Sequence, residues 1–196
     1  MNRLFLITLG IFVLAGTIAC QKQPTATGDT AATDPDAAEA PPAKDSSESS
    51  AARSSSELPL LGEAPTWTLN RMDGTSLSSA DLAGKVVVVD FWATWCPPCR
   101  AEIPGYVAMQ DELRDQGVVI LGISLDEGGP AVVKPFAERF GINYELVMAD
   151  RNITDAFGGV RVIPTTFLID RDGQVRHRKE GMMEREDYEP LVRSLL

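Results

Sequence analysis

The sequence predicts an α/β fold, a three-layer sandwich in which helices cover a central mixed β-sheet. Val86–Trp92 reads VVVVDFW, an almost unbroken apolar run that is typical of a strand buried on both faces. Strand-like and helix-like segments then alternate, as they do in a sheet with parallel strands. A hairpin across residues 171–173 and an amphipathic helix complete the pattern. We therefore expect one domain over residues 58–196.

The segment before the buried strand predicts an extension of the sheet. Residues 64–69 alternate between polar and apolar side chains, so we expect a short strand there. Asp73-Gly74 marks a turn, and Ser78 or Ser79 caps a short helical turn that ends near Leu82.

The elements after the buried strand follow from apolar periodicity and from glycine stops. Gly117 and Gly141 are expected to end two helices. The predicted segments are a helix from residue 97 to about 116, a strand over Val118–Ser124, a helix over 131–140, a strand over 144–148, a short helix over 152–157, strands over 165–170 and 174–179, and a helix over 184–195.

Two cysteines lie where the buried strand gives way to a helix, in the order Cys96-Pro97-Pro98-Cys99. Unpaired N–H groups and a partial positive charge at a helix N-terminus favour a thiolate, here that of Cys96. Proline is suited to the first helical turn because its missing N–H leaves no donor unpaired.

The CxxC spacing is compatible with a metal site, a structural disulfide or thiol–disulfide exchange. A tetrahedral zinc site needs four ligands, and this chain offers two such thiols and one distant histidine, His177. A structural disulfide seldom closes so short a loop. Exchange is therefore expected, with Cys96 as the nucleophile and Cys99, one turn inside the helix, as the resolving thiol.

The segment FWATWCPPCR resembles the active-site motif of thioredoxin-like proteins, specifically the membrane-tethered TlpA/ResA-type thiol–disulfide oxidoreductases. Pro104 matches the helix-kinking proline of thioredoxin. The resemblance covers about residues 58–196 and implies a thioredoxin-like fold, an N-terminal strand extension and a helix-strand insertion near residues 131–148. It implies protein disulfides as substrates and calls for no cofactor and no metal.

The resemblance also assigns residues that face the substrate. Pro164 is expected to follow a cis peptide bond and to face the CxxC motif, and Ile163 to offer backbone groups to a substrate chain. Trp95 and Pro97 are expected to form part of the docking surface. Trp92 is expected to pack in the core.

Two carboxylates are candidates for handling the proton of Cys99. Asp90 interrupts the buried strand, where burial should raise its pKa. Glu102 is three residues after Cys99, on the same helix face. A solvated Asp90 at an edge and a plain surface Glu102 are the alternatives, and the sequence does not rank the two groups.

The first 57 residues lie outside the predicted domain. Residues 1–19 resemble an export signal, with Arg3 before a short apolar stretch. Thr17-Ile18-Ala19-Cys20 resembles a lipobox, so Cys20 is expected to carry lipid that anchors the protein to a membrane. An uncleaved anchor, or cleavage that leaves Cys20 free, are the alternatives. Residues 20–57 are rich in Ala, Ser, Thr, Pro, Asp and Glu and are expected to form a disordered tether.

Charge and motif content narrow the function. A net charge of −10 argues against a nucleic-acid surface. The Pro-x-x-x-Thr-x-x-Cys pattern of peroxiredoxins is missing, and the CxxxC of Sco-type copper carriers is replaced by CxxC. The expected protein is an exported monomer that reduces disulfides of envelope proteins such as apocytochrome c and takes electrons from a membrane thiol donor. A disulfide oxidase or isomerase is the first alternative, and a copper-delivering lipoprotein is the second.

Overall fold

A computed structural model of the protein describes residues 58–196. The predicted signal peptide, the lipidation at Cys20 and the tether lie outside the described residues. The strands are β1 (Gly62–Glu63), β2 (Thr68–Asn70), β3 (Ser76–Ser78), β4 (Val86–Trp92), β5 (Val118–Ser124), β6 (Glu145–Met148), β7 (Thr165–Ile169) and β8 (Gln174–Glu180). The α-helices are α1 (Pro97–Leu113), α2 (Pro130–Phe140), α3 (Ile153–Ala156) and α4 (Arg185–Arg193).

Six strands form the main sheet, in the order β1-β8-β7-β4-β5-β6. The pairs β4–β5 and β5–β6 are parallel, whereas β7 and β8 run antiparallel to their neighbours. The sheet is therefore mixed, as predicted. Strand β4 lies near its centre and is buried along its whole length, because helices or a hairpin cover both faces.

The side chains of β4 alternate between two core layers. Val87, Val89 and Phe91 face α3 and the small hairpin of β2 and β3. Val86 and Val88 point the other way, toward α1 and α4, and Trp92 packs near α2 on that side. Asp90 belongs to the second set by the same alternation. It is thus the one carboxylate in an apolar row that the helices cover.

The predicted N-terminal strand over residues 64–69 is wrong in its bounds. Two shorter strands replace it, because β1 joins β8 at the edge of the main sheet while β2 pairs with β3 in a separate hairpin. Pro65 lies between them, and a proline has no N–H to give to a ladder.

The predicted stops and turns agree closely with the structure. Gly141 follows α2 directly with φ of 63°, whereas α1 ends at Leu113 and a 3₁₀ turn, Arg114–Gln116, carries the chain on to Gly117 with φ of 88°. Both angles are a left-handed conformation that glycine adopts without strain. Ser78 precedes the single turn Ser79–Leu82, and its N–H and hydroxyl both donate to Asp81 Oδ2, each at 2.8 Å. No helix within residues 58–196 is long and apolar enough to cross a membrane.

Candidate active site

The junction of β4 and α1 brings the two predicted cysteines together. Cys96 is the N-cap of α1 and has an extended backbone, so Cys99 lies one helical turn away. Their sulfur atoms are joined in a disulfide with an S–S distance of 2.00 Å and a Cα–Cα distance of 5.3 Å. Cys99 is 1% exposed, as expected of the inner thiol, and Cys96 is 3% exposed.

The first turn of α1 presents few donors to the outer sulfur. The Cys99 N–H donates a hydrogen bond to Cys96 Sγ at 3.3 Å. Pro97 and Pro98 precede it and have no N–H, while the Arg100 N–H bonds to the Cys96 carbonyl oxygen at 3.1 Å. A Cys96 thiolate formed by reduction would therefore receive one backbone hydrogen bond from this turn, together with the helix dipole.

The residues predicted to bind substrate lie around this junction. The Ile163–Pro164 peptide bond is cis, as expected, and Ile163 packs against the apolar cluster that holds both cysteines. Trp95, next to Cys96, is 66% exposed, and Pro97 is exposed as well. Trp92 is buried in the core, as predicted.

A buried carboxylate that the sequence reading missed holds the segment in front of Cys96. Asp126 accepts hydrogen bonds from the Thr94 N–H at 2.9 Å, from the Thr94 hydroxyl at 2.6 Å and from the Ser124 hydroxyl at 2.8 Å. Thr94 follows β4 and Asp126 follows β5, and neighbouring parallel strands end at one edge of a sheet. Asp126 is the acidic residue that follows the predicted strand Val118–Ser124. The rule that parallel strands end at one edge could therefore have identified it from the sequence.

Arg100, in the first turns of α1, has aromatic partners. Its guanidinium carbon lies 5.2 Å from the ring centre of Phe140 and 5.9 Å from that of Phe136. The two rings stack at 4.1 Å. This cation–π contact ties the redox helix α1 to the inserted helix α2.

Asp90 lies behind the cysteine-bearing helix in an apolar setting. It is 3% exposed, and its Oδ1 atom is buried without a hydrogen-bond partner among residues 58–196. Burial raises the pKa of Asp90 well above its ordinary value, the charge of Glu102 raises it further, and the Thr166 hydroxyl lowers it. The alternative of a solvated edge residue is therefore excluded.

Glu102 is the second buried carboxyl. It is 6% exposed, and Oε1 accepts a hydrogen bond from the Met183 N–H at 2.9 Å. Oε2 has no hydrogen-bond partner within the described residues. Burial raises the pKa of Glu102 to about 7. The hydrogen bond from Met183 lowers this pKa, and the charge of Glu184 raises it. Glu102 is thus no plain surface residue, and it exchanges protons in the neutral pH range.

Metal ligands do not converge in the described part of the chain. Within residues 58–196, no three His, Cys, Asp or Glu side chains are placed to hold one ion. His177 lies on β8 opposite Leu168, two strands from β4. Burial and the charge of Lys179 lower the pKa of His177.

The fold and the cysteine pair define a thioredoxin-like thiol–disulfide oxidoreductase. Residues 61–178 match the AhpC/TSA family, and the chain belongs to that family. The resemblance to TlpA/ResA-type enzymes that FWATWCPPCR indicated is confirmed by the relatives of known name.

These relatives include enzymes named thiol-disulfide oxidoreductase ResA. The chain is 37% identical over 133 residues to the ResA of Geobacillus thermodenitrificans. The matched segment covers 67% of this chain and 75% of the relative. It is 35% identical over 135 residues to that of Bacillus subtilis, with 67% and 74% covered. Among solved structures, a thiol:disulfide interchange protein from Chlorobium tepidum is 37% identical, with a TM-score of 0.64 and 68% and 95% of the two chains covered.

The scarcity of donors at Cys96 predicts the effect of restoring one. Pro98→Ala adds an N–H at the second position of α1, where an N-cap acceptor can receive it. The pKa of the reduced Cys96 thiol should fall by up to about one unit. The pH dependence of iodoacetamide alkylation measures it, with Arg100→Ala as a control that adds no donor to Cys96. An unchanged or higher pKa in Pro98→Ala would contradict this account.

The raised pKa of Glu102 predicts a loss of stability as the pH rises. Between the ordinary value of 4.5 and about 7, the folded state binds more protons at Glu102 than the unfolded state does. The free energy of unfolding should therefore fall across this range, by about 1 to 3 kcal/mol from this group, and level off above it.

Urea unfolding of the oxidised protein at pH 5, 6, 7 and 8 tests this sign. The fall assigned to Glu102 is the difference between wild type and Glu102→Gln, since contributions from other groups, including His177, cancel. An equal slope in both proteins, or a rise with pH in that difference, would contradict the assignment.

Proposed function

We propose that this protein is an exported, lipid-anchored enzyme that reduces disulfides in envelope proteins such as apocytochrome c. The observation that carries the proposal is the Cys96–Cys99 pair at the start of α1, with one cysteine as the N-cap and the other one turn inside. Among known proteins, the ResA thiol-disulfide oxidoreductases support this chemistry.

The proposed cycle moves two electrons from the enzyme to the substrate. In the reduced enzyme, the Cys96 thiolate attacks a substrate disulfide, forms a mixed disulfide and releases one substrate thiolate. Cys99 loses its proton and attacks Cys96 Sγ, which releases the second substrate thiolate and closes the enzyme disulfide. A membrane thiol donor then opens that disulfide again.

In this proposal, the two buried carboxyls accept the proton of the Cys99 thiol. Asp90 Oδ1 and Glu102 Oε2 are both buried and have no hydrogen-bond partner in the part of the chain that the structure describes, so each has a free acceptor site. Their raised pKa values place proton exchange nearer neutral pH than is usual for a carboxyl, which suits a general base for a thiol.

The direction of net transfer follows from how weakly the site stabilises a thiolate. A strong disulfide oxidant stabilises its reduced form, as a low-pKa cysteine does. Here Cys96 receives one backbone donor from the first turn. This scarcity of donors disfavours a thiolate and thus favours the disulfide form, which makes the reduced enzyme a donor of electrons.

The surface beside the disulfide suits an extended protein segment. Trp95 is 66% exposed and Val162, just before the cis peptide bond, is 50% exposed. In the proposal, these apolar side chains contact substrate side chains while the Ile163 backbone pairs with the substrate chain. Pro97 and Pro164 complete the contact, and the enzyme acts as a monomer.

A trapping experiment tests the proposed function and identifies the substrates. In Cys99→Ser, Cys96 still attacks, but the internal thiol that resolves the mixed disulfide is gone. The intermediate should persist at least about a hundredfold longer than in wild type, because the neighbouring thiol acts at high effective concentration. Acid quench of cells, followed by purification and mass spectrometry, measures it.

The double variant Cys96→Ala, Cys99→Ser is the matched control and should give no adduct. Apocytochrome c or another maturation component among the partners supports the proposed reductant. Many unrelated exported proteins would favour an oxidase or isomerase. If Cys96 stays alkylatable and no adduct forms, protein thiol exchange is not the function.

The lipid anchor makes a separate prediction. Cys20→Ala should move the protein from the membrane fraction to the soluble exported fraction, because the acylated residue is lost. Insulin disulfide reduction should keep its wild-type rate. Continued membrane retention of Cys20→Ala would favour an uncleaved N-terminal anchor.

A further inference from the structure

A row of three buried polar side chains crosses the layer between the sheet and α1. Thr166 on β7 is the register partner of Asp90 on β4, so the two side chains lie on the same face of the sheet. The Tyr106 hydroxyl, on α1, lies 3.2 Å from Thr166 Oγ1. Each of the three residues is nearly excluded from solvent.

We infer that the hydroxyls of Tyr106 and Thr166 form a relay that positions Asp90 and supports its carboxylate form during proton exchange with Cys99. The inference rests on the proposed function, since it concerns the base in that cycle. Tyr106 and Thr166 act through Asp90 and are positioning residues, not catalytic ones.

The donor and acceptor of each hydrogen bond in the relay follow from the single hydrogen that each hydroxyl carries. Each hydroxyl carries one hydrogen and accepts through its oxygen. When Tyr106 donates to Thr166 Oγ1, the Thr166 hydrogen is free to donate to Asp90. Burial raises the pKa of Tyr106 well above its ordinary value, so this phenol stays protonated and remains a donor. The Thr166 hydroxyl lowers the pKa of Asp90, as this order requires.

Other ionisable groups surround Asp90 on this side of the sheet. Apart from Tyr106, they are Glu102 on α1, Tyr144 before β6, Tyr188 on α4, and His177 and Lys179 on β8. Lys179 is the register partner of Thr166 but is exposed. Glu102 opposes ionisation of Asp90, and in the part of the chain that the structure describes Asp90 Oδ1 has no donor. The relay therefore supplies the hydrogen bonding that favours the carboxylate.

The chain offers a matched control in Tyr188. Its ring contacts that of Tyr106 edge to face, with centroids 6.0 Å apart. Its hydroxyl is buried in the same layer, but it has no hydrogen-bond partner in the described domain, residues 58–196. Tyr188→Phe thus removes a buried hydroxyl near Asp90 without touching the relay, whereas Tyr106→Phe removes the first donor of the relay.

The direct test is titration of the Asp90 carboxyl by carbon NMR in the oxidised full chain, with Asp90→Asn to assign the signal. Tyr106→Phe should raise the midpoint by about half to one pH unit, which corresponds to one buried hydrogen bond. Thr166→Val should raise it further, and Thr166→Ser should keep the wild-type midpoint. Tyr188→Phe should leave the midpoint unchanged.

A kinetic readout separates positioning from simple loss of structure. In Tyr106→Phe, resolution of a mixed disulfide at pH 7 should slow about three- to tenfold and recover at higher pH. The alkylation rate of Cys96 should not change. Equal midpoint shifts in Tyr106→Phe and Tyr188→Phe, or no shift in Tyr106→Phe, would overturn the relay. If wild type fails to reduce protein disulfides, the proposed function fails, but the NMR titration still decides the relay.

Discussion

The hydrogen bond from the Cys99 N–H to Cys96 Sγ is the contact around which the site is built. It exists because β4 is buried along its length and delivers the chain to the N-terminus of α1 at a fixed point. The two prolines between the cysteines remove the other donors that a first turn offers. Helix geometry thus sets both the spacing of the two cysteine backbones, 5.3 Å between their Cα atoms, and the limited support that a thiolate receives.

Two carboxyl groups lie buried behind helix α1. Asp90 and Glu102 lie in a layer of valine, tyrosine and methionine side chains, where an ionised carboxyl is costly. Within residues 58–196, each retains one oxygen atom without a hydrogen-bond partner, so each carboxyl has a free acceptor site. In the proposed function, these two acceptor sites serve proton transfer at Cys99. The loop held by Asp126 and the contact of Arg100 with α2 then keep the segment around Cys96 in place.

The sequence predicted the features that depend on local pattern. The buried strand, the helix stops at Gly117 and Gly141, and the position of Cys96 at a helix start all follow from periodicity and from residue type. The cis bond before Pro164 came from the resemblance to a known family. Contacts between distant segments were missed, since nothing local distinguishes them: Tyr106 and Thr166 are 60 residues apart, and Thr94 and Asp126 are 32 apart. Pro65 is a local feature of the sequence that disfavours one long N-terminal strand.

The reduction potential of the Cys96–Cys99 couple tests the central claim, that weak thiolate stabilisation makes this disulfide a reducing couple. It is measured by equilibrating the protein with thiol–disulfide buffers at pH 7 and following tryptophan fluorescence. We predict one reversible two-electron transition between about −300 and −200 mV, in the range of thioredoxin and the glutaredoxins. A midpoint near the −120 mV or so of a strong oxidase, or a disulfide that does not open reversibly, would contradict the account.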